Sequence, residues 1–315
     1  MLVSPFWQQN EIMTKDEILN LVATLITNGF EVEQMERFFQ GNIIFNILKK
    51  DKLGAIVKYS ILFTKDKKEN SLTTSLLTIS RTFLSTPFIV SDNFVSTHCN
   101  TYTFQKFYQF FGGIVNTGLI LIPNLPDILE ELGLNKLPAV LQGDPFDLHE
   151  LYVKECFQFI LQSPTRRYGK DRLFESVPDG IIICKNGMMV LYDSKAYSKG
   201  FDFTADDIKR FASYVDEFNS RYSAVLGKVF TFTVITGKFN PTQKTIGNRS
   251  KELYKKCNCN LSCITSRELG NIVQLLQKEP DIRVSILWKN IFSELTINTV
   301  LVEKEIARIK KDNLN

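Results

Sequence analysis

Residues 178–195 constrain this chain more than any other stretch. Pro178-Asp179-Gly180 opens an apolar run at 181–184, Lys185-Asn186-Gly187 breaks it, and a second apolar run at 188–192 ends in Asp193-Ser194-Lys195. Asn and Gly tolerate positive φ, so the two runs predict a β-hairpin with its turn at 185–187. Strand side chains alternate, which puts Asp193 and Lys195 on one face at the rim of a sheet.

Whether Asp179 joins them depends on the register. A two-residue turn over Asn186 and Gly187 sets Asp179 opposite Ser194, on the wrong face. A three-residue loop over 185–187, with Gly187 left-handed as a bulge, sets Asp179 opposite Asp193, and this register is the one expected. Carboxylates within about 5 Å across a ladder repel unless a cation lies between them. A hard divalent ion, Mg²⁺ with Mn²⁺ as a substitute, takes oxygen ligands and keeps some waters. Asp179, Asp193 and the backbone carbonyl of Ser194 would leave positions for a phosphate oxygen and an attacking water. Lys195 would orient or deprotonate that water and offset transition-state charge. The set suits phosphodiester hydrolysis, while the spacing alone also fits a surface hairpin closed by a salt bridge.

The wider text, PDG followed by YDSKAYSKGF, resembles the cleavage domain of FokI-type IIS restriction enzymes within the PD-(D/E)xK nuclease superfamily. The likeness runs from the helix near Glu155 to the strands and helices after Phe230. It implies an α/β fold with a restriction-endonuclease-like mixed sheet flanked by helices. It also implies a Mg²⁺-dependent DNA endonuclease in which Asp179 and Asp193 hold metal and Lys195 serves the nucleophile. The position of Glu155, an acid on the apolar stripe of the preceding helix, matches an acid of the family and makes it a candidate ligand or catalytic group, with Glu175 as rival. The family pairs through the helix after the motif, using an acid and an arginine one turn apart. Lys209 and Ser213 stand there, so a homodimer of that kind is not expected, and another surface or a partner subunit would be needed.

Charge divides unevenly. Residues 1–145 carry 12 Lys+Arg against 14 Asp+Glu, and residues 146–315 carry 26 against 20, so the half with the motif is the basic one. Arg166, Arg167, Lys170, Arg172 and Lys199 flank the acidic hairpin and are candidates to grip the phosphates of double-stranded DNA, as a basic loop before the strands and a lysine after them. Two domains are expected from the length: a nuclease domain at 146–315 and an α+β domain at 1–145 that reads DNA, dimerises, or both. The boundary is placed at 133–144, where Gly, Asn and Pro interrupt every periodic pattern. No secretory signal or membrane span is legible, and six cysteines without framework spacing suit a reducing compartment, so the cytoplasm is expected. Neither a P-loop nor a Gly-rich fingerprint occurs, and no nucleotide cofactor is expected. Cys257, Cys259 and Cys263 lack a fourth ligand nearby and read as free thiols rather than a zinc site.

Capping boxes at Thr14 and Thr265 and a cap at Thr204 predict helices starting there, and Phe230 to Thr236 should lie parallel to the motif strand by a right-handed crossover. A short helix at 31–39, strands at 43–48 and 55–63, an extended run at 72–79, a helix at 103–111, an extended run at 114–122 and a helix at 126–132 complete the expected N-terminal half. Two helices and a basic-tipped hairpin there also fit a winged helix, but the slightly negative charge favours a plain α+β domain. A DNA-binding or scaffold protein with a nuclease fold and no catalysis is the competing reading, which the intact Asp179, Asp193 and Lys195 disfavour.

Overall fold

A computed structural model describes residues 13–37, 42–50, 56–67, 71–111, 120, 122, 124–163, 165–168, 177–184 and 187–312. The chain divides into two compact units, Met1–Ile114 and Val115–Asn315.

In the first unit, helix α1 (Lys15–Thr27) begins on the expected capping box: Thr14 Oγ1 accepts from the Glu17 N–H at 3.2 Å while the Thr14 N–H donates to Glu17 Oε2 at 2.8 Å. Strands β1 (Glu31–Arg37), β2 (Ile43–Lys50) and β3 (Ile56–Phe63) follow, then helix α2 (Ser71–Phe83), strands β4 (Thr86–Val90) and β5 (Asn100–Tyr102), and helix α3 (Phe104–Phe111). The five strands lie side by side in chain order. β1, β2 and β3 are antiparallel to one another, and β4 and β5 join in parallel.

Two expectations fail here. Residues 31–37 form β1, not a helix, because β2 buries residues 42–48 on both faces and needs a neighbour on each side; β1 pairs with it across a bulge between Val32 and Gln34. Residues 72–79 lie in α2, not an extended run. The β-branched threonines suggest strand, but Leu72, Leu76 and Ile79 recur at helical spacing toward a small cluster with Ile44, Leu62 and Ile89. Thr78 and Thr82 turn their hydroxyls back to the carbonyls of Thr74 and Thr78, at 3.0 and 3.1 Å, which satisfies them inside a helix. The mixed sheet is an α+β arrangement rather than a winged helix. The extended run expected at 114–122 lies almost wholly outside the described residues.

The second unit opens with helices α4 (Leu125–Gly133) and α5 (Pro145–Leu161), followed by strands β6 (Thr165–Arg167), β7 (Gly180–Ile183) and β8 (Met189–Lys195). Helix α6 (Ala205–Leu226) crosses over to β9 (Val229–Thr236), and helix α7 (Gln243–Cys257) leads to β10 (Asn260–Thr265). Helices α8 (Ser266–Gln277), α9 (Pro280–Arg283), α10 (Trp288–Phe292) and α11 (Thr299–Asp312) close the chain. The strands again lie in chain order, β6 to β10. β7 is antiparallel to β6 and β8, whereas β9 is parallel to β8 and to β10. This is the mixed α/β sheet expected, including the parallel β8–β9 pair.

The unit boundary falls between Ile114 and Val115, some thirty residues before the expected one. The cause is α4. Its Leu125, Ile128, Leu129 and Leu132 join one core with Val153 and Phe157 of α5 and Leu269, Ile272 and Val273 of α8. Burying such side chains stabilises by about 1.5–3 kcal/mol each, so α4 belongs to the unit that covers it. Gly270 lets the helices touch, since a Cβ there would stand 2.6 Å from Pro126 Cα. Gly133 and the residues after it are therefore a turn inside the second unit. No described helix is long and apolar enough to cross a membrane.

Candidate active site

The hairpin β7–β8 adopts the three-residue register. Gly180 pairs with Tyr192 and Ile183 with Met189, the Cys184 N–H donates to the Met188 carbonyl at 2.9 Å, and Gly187 takes φ +79°. One step beyond the Gly180–Tyr192 pair, Asp179 faces Asp193. Glycine is required at 180, because a Cβ there would stand 2.2 Å from Tyr192 Cζ and 2.5 Å from the Arg166 carbonyl oxygen.

The two acids meet in a buried setting. Asp179 Oδ2 accepts from the Ser194 N–H at 2.7 Å and from Ser194 Oγ at 3.2 Å. Burial, and after it the charge of Asp193, hold the Asp179 carboxyl well above the usual carboxylate range. Lys195 Nζ stands 2.5 Å from Asp193 Oδ2. Burial alone would pull the Lys195 ammonium down, but Asp193 and Asp179 outweigh it and keep it above the ordinary lysine range. Arg210 of α6 approaches the same Asp193 oxygen to 4.0 Å while its guanidinium holds Asp207 at 2.8 Å.

A third acid arrives from α5, and it is Glu150 rather than Glu155. Glu150 is 2% exposed; burial pushes its carboxyl up to about 7, and the charges of Asp193 and Lys195 reach it. Glu155 pairs instead with Lys154 at 2.9 Å. Five residues are about 140° around a helix, so the two acids cannot face one site. The signal that could have found Glu150 is its place two turns before Phe157, which packs on Tyr192 of β8 at a centroid distance of 5.3 Å.

Arg166 and Arg167 sit in β6, paired with Ile181 and Gly180. Arg166 is buried with its guanidinium 4.3 Å from the Tyr168 ring centre, and Arg167 donates to the Asp147 carbonyl at 3.1 Å and lies 4.0 Å from Glu150. Strand alternation puts them on opposite faces, Arg166 buried and Arg167 half-buried beside Glu150. Lys199 is exposed in the turn after β8, where Gly200 takes φ +86° against Asn240. Lys170, Arg172 and Glu175 lie outside the described residues. No disulfide joins the cysteines among the described residues, and Cys263 is buried in β10.

Oxygen donors of this kind suit a hard cation. Glu150 Oε2 is buried without a hydrogen-bond partner among the described residues, and Asp179 and Asp193 bring together like charges that a cation could bridge. Among the described residues no three His, Cys, Asp or Glu side chains are drawn together tightly enough to hold an ion as they stand. Lys195 on Asp193 supplies the positive charge in this arrangement.

A strand-ended acid pair with an adjacent lysine, on a mixed sheet entered by an acid-bearing helix, defines the candidate site of a nuclease-type α/β unit. The family description "FokI, cleavage domain" matches residues 139–297, half of the chain, and the chain belongs to that family. Among solved structures it is similar to the restriction endonuclease FokI bound to DNA, at 20% identity over 56% of this chain and 31% of that one, with a TM-score of 0.43. FokI solved in a second structure gives 21% identity over 54% and 30%, with a TM-score of 0.40. The match therefore spans about a third of FokI. No curated protein matches.

Proposed function

We propose that this protein is a Mg²⁺-dependent DNA endonuclease of the restriction type, a type II enzyme acting on double-stranded DNA. The observation that carries the reading is the buried Asp179–Asp193 pair with Lys195 on it, inside the region that belongs to the cleavage-domain family. Asp179 and Asp193 would hold the ion, with the Ser194 carbonyl and Glu150 as further oxygen donors; Mn²⁺ would substitute. A bound divalent ion supplies Lewis-acid polarisation of the phosphate and a more acidic water. Lys195, held as an ammonium, would orient the water and offset charge growing on the phosphate, rather than act first as a base. Arg210 is placed to meet a phosphate oxygen once Asp193 is neutralised. Residues 1–114 would help read or hold the DNA, and a double-strand break would need a second copy or a partner subunit.

The test is cleavage of plasmid DNA in Mg²⁺ by the wild type and by Asp179→Ala and Asp193→Ala, with circular dichroism to check the fold. Both variants are expected to fold and to lose cutting by roughly a thousandfold or more. Near wild-type cutting by either one would remove this hairpin as the active site. DNA binding without cutting by the wild type would favour the non-catalytic alternative.

A further inference from the structure

The two units share one topology. The first runs α1, β1, β2, β3, α2, β4, β5; the second runs α5, β6, β7, β8, α6, β9, β10, with only α7 added before the last strand. Each sheet orders its strands as the chain does, and each pairs them antiparallel, antiparallel, parallel, parallel. The leading helix ends four residues before the first strand in both, Thr27 before Glu31 and Leu161 before Thr165. A mixed sheet of five strands has many possible orders and senses, so agreement at every pairing identifies the same core twice.

The registers then align the two sites residue by residue. In the second unit Gly180 pairs with Tyr192, and one step outward Asp179 faces Asp193. In the first, Ile43 pairs with Phe63, and one step outward Asn42 faces Thr64. Two residues after Asp193 comes Lys195; two after Thr64 comes Asp66. The acid, acid and lysine are thus replaced by an amide, a hydroxyl and an acid. These three are buried and bound to one another: Asn42 Nδ2 donates to Asp66 Oδ2 at 3.1 Å, and the Asp66 N–H donates to Thr64 Oγ1 at 3.1 Å. An amide and a hydroxyl bring no charge to a divalent ion, and the one carboxylate already accepts from the amide.

We infer that the first unit is a second copy of the cleavage core whose metal-holding set has been replaced by an internal hydrogen-bond lock, so that each chain carries one hydrolytic centre. The second clause rests on the function proposed above; the first rests on topology and register alone. One chain then cuts one strand per engagement, and linear DNA forms only through a nicked intermediate or by two chains acting together.

The experiment uses the full chain in two arms. In the first, Asn42→Cys/Thr64→Cys and Asn42→Cys/Lys65→Cys variants are oxidised and mapped by mass spectrometry. The 42–64 crosslink is expected and the 42–65 crosslink is not, since Lys65 points to the other face. Absence of the 42–64 crosslink in folded protein overturns the correspondence. In the second, plasmid cutting is compared for Asp66→Asn, Asp193→Ala and the double variant. Asp66→Asn should cut within about threefold of wild type, and Asp193→Ala should abolish both nicking and linearisation. Residual cutting by Asp193→Ala that the added Asp66→Asn removes would show two live centres and sink the inference. If the wild type does not cut at all, the proposed function fails, while the crosslinking arm still decides whether the copy exists.

Discussion

Glu150 and Glu155 differ by five positions in one helix, and that difference separates an acid within reach of the Asp193 and Lys195 charges from a buried acid paired with Lys154. Glu150→Gln should slow cutting and weaken Mg²⁺ activation by about tenfold or more, while Glu155→Gln, which loses only the Lys154 contact, should stay within about twofold. A metal titration of the cutting rate distinguishes them, and the reverse order would restore Glu155 as the third acid. The same residue sets a pH dependence. The Glu150 carboxyl is raised by burial from an ordinary 4.5 to about 7, so the folded metal-free protein binds a proton that the unfolded chain has released. Stability in EDTA should therefore fall as pH rises from about 4.5 through about 7, and Glu150→Gln should flatten that slope in thermal melts. At Gly180 the constraint is steric: Gly180→Ala meets the Tyr192 ring and the Arg166 carbonyl and should cost about 1–3 kcal/mol in urea denaturation.

Helix α6 shows one residue serving a helix end and the site together. Thr204 Oγ1 accepts from the Asp207 N–H at 3.1 Å, Asp207 Oδ2 accepts from the Thr204 N–H at 3.0 Å, and the other Asp207 oxygen holds Arg210. Arg210 is thereby aimed toward Asp193. Thr204→Ala should cost about 1 kcal/mol through the lost cap and leave the cutting rate per folded molecule nearly unchanged. Asp207→Ala should cost a similar amount and also change the rate, because it releases Arg210. If the two variants cut alike, Arg210 has no part in the site. On the same helix Lys209 is exposed and pairs with Asp206 at 2.9 Å, and Ser213 is exposed one turn on.

For the molecule as a whole, the boundary before α4 has a direct consequence. A fragment of residues 115–315 keeps Leu125, Ile128, Leu129 and Leu132 in the core they share with α5 and α8; a fragment of residues 146–315 strips that cover and bares their partners. The longer fragment should melt cooperatively, and the shorter should aggregate or bind a hydrophobic dye. Equal melting of both would return the boundary to the turn after Gly133.

The local features were legible because their causes are local. Thr14, Thr204 and Thr265 announced three helix starts, since a cap depends on three or four neighbouring residues. The length of the 185–187 loop and the apolar runs around it determined the register that brings Asp179 opposite Asp193. Only the tertiary structure decided the rest. Residues 31–37 became a strand because β2 needed an edge partner, and α4 went to the second unit because its leucines are covered there. Glu150 displaced Glu155 because the rotation of α5 against the sheet is set by packing partners distant in sequence. The kinship of the two sheets was hidden for the same reason. A fold preserves the order and sense of its strands, which lie in the pairing of distant segments, while the side chains that advertised one site, Asp179, Asp193 and Lys195, stand in the other as Asn42, Thr64 and Asp66.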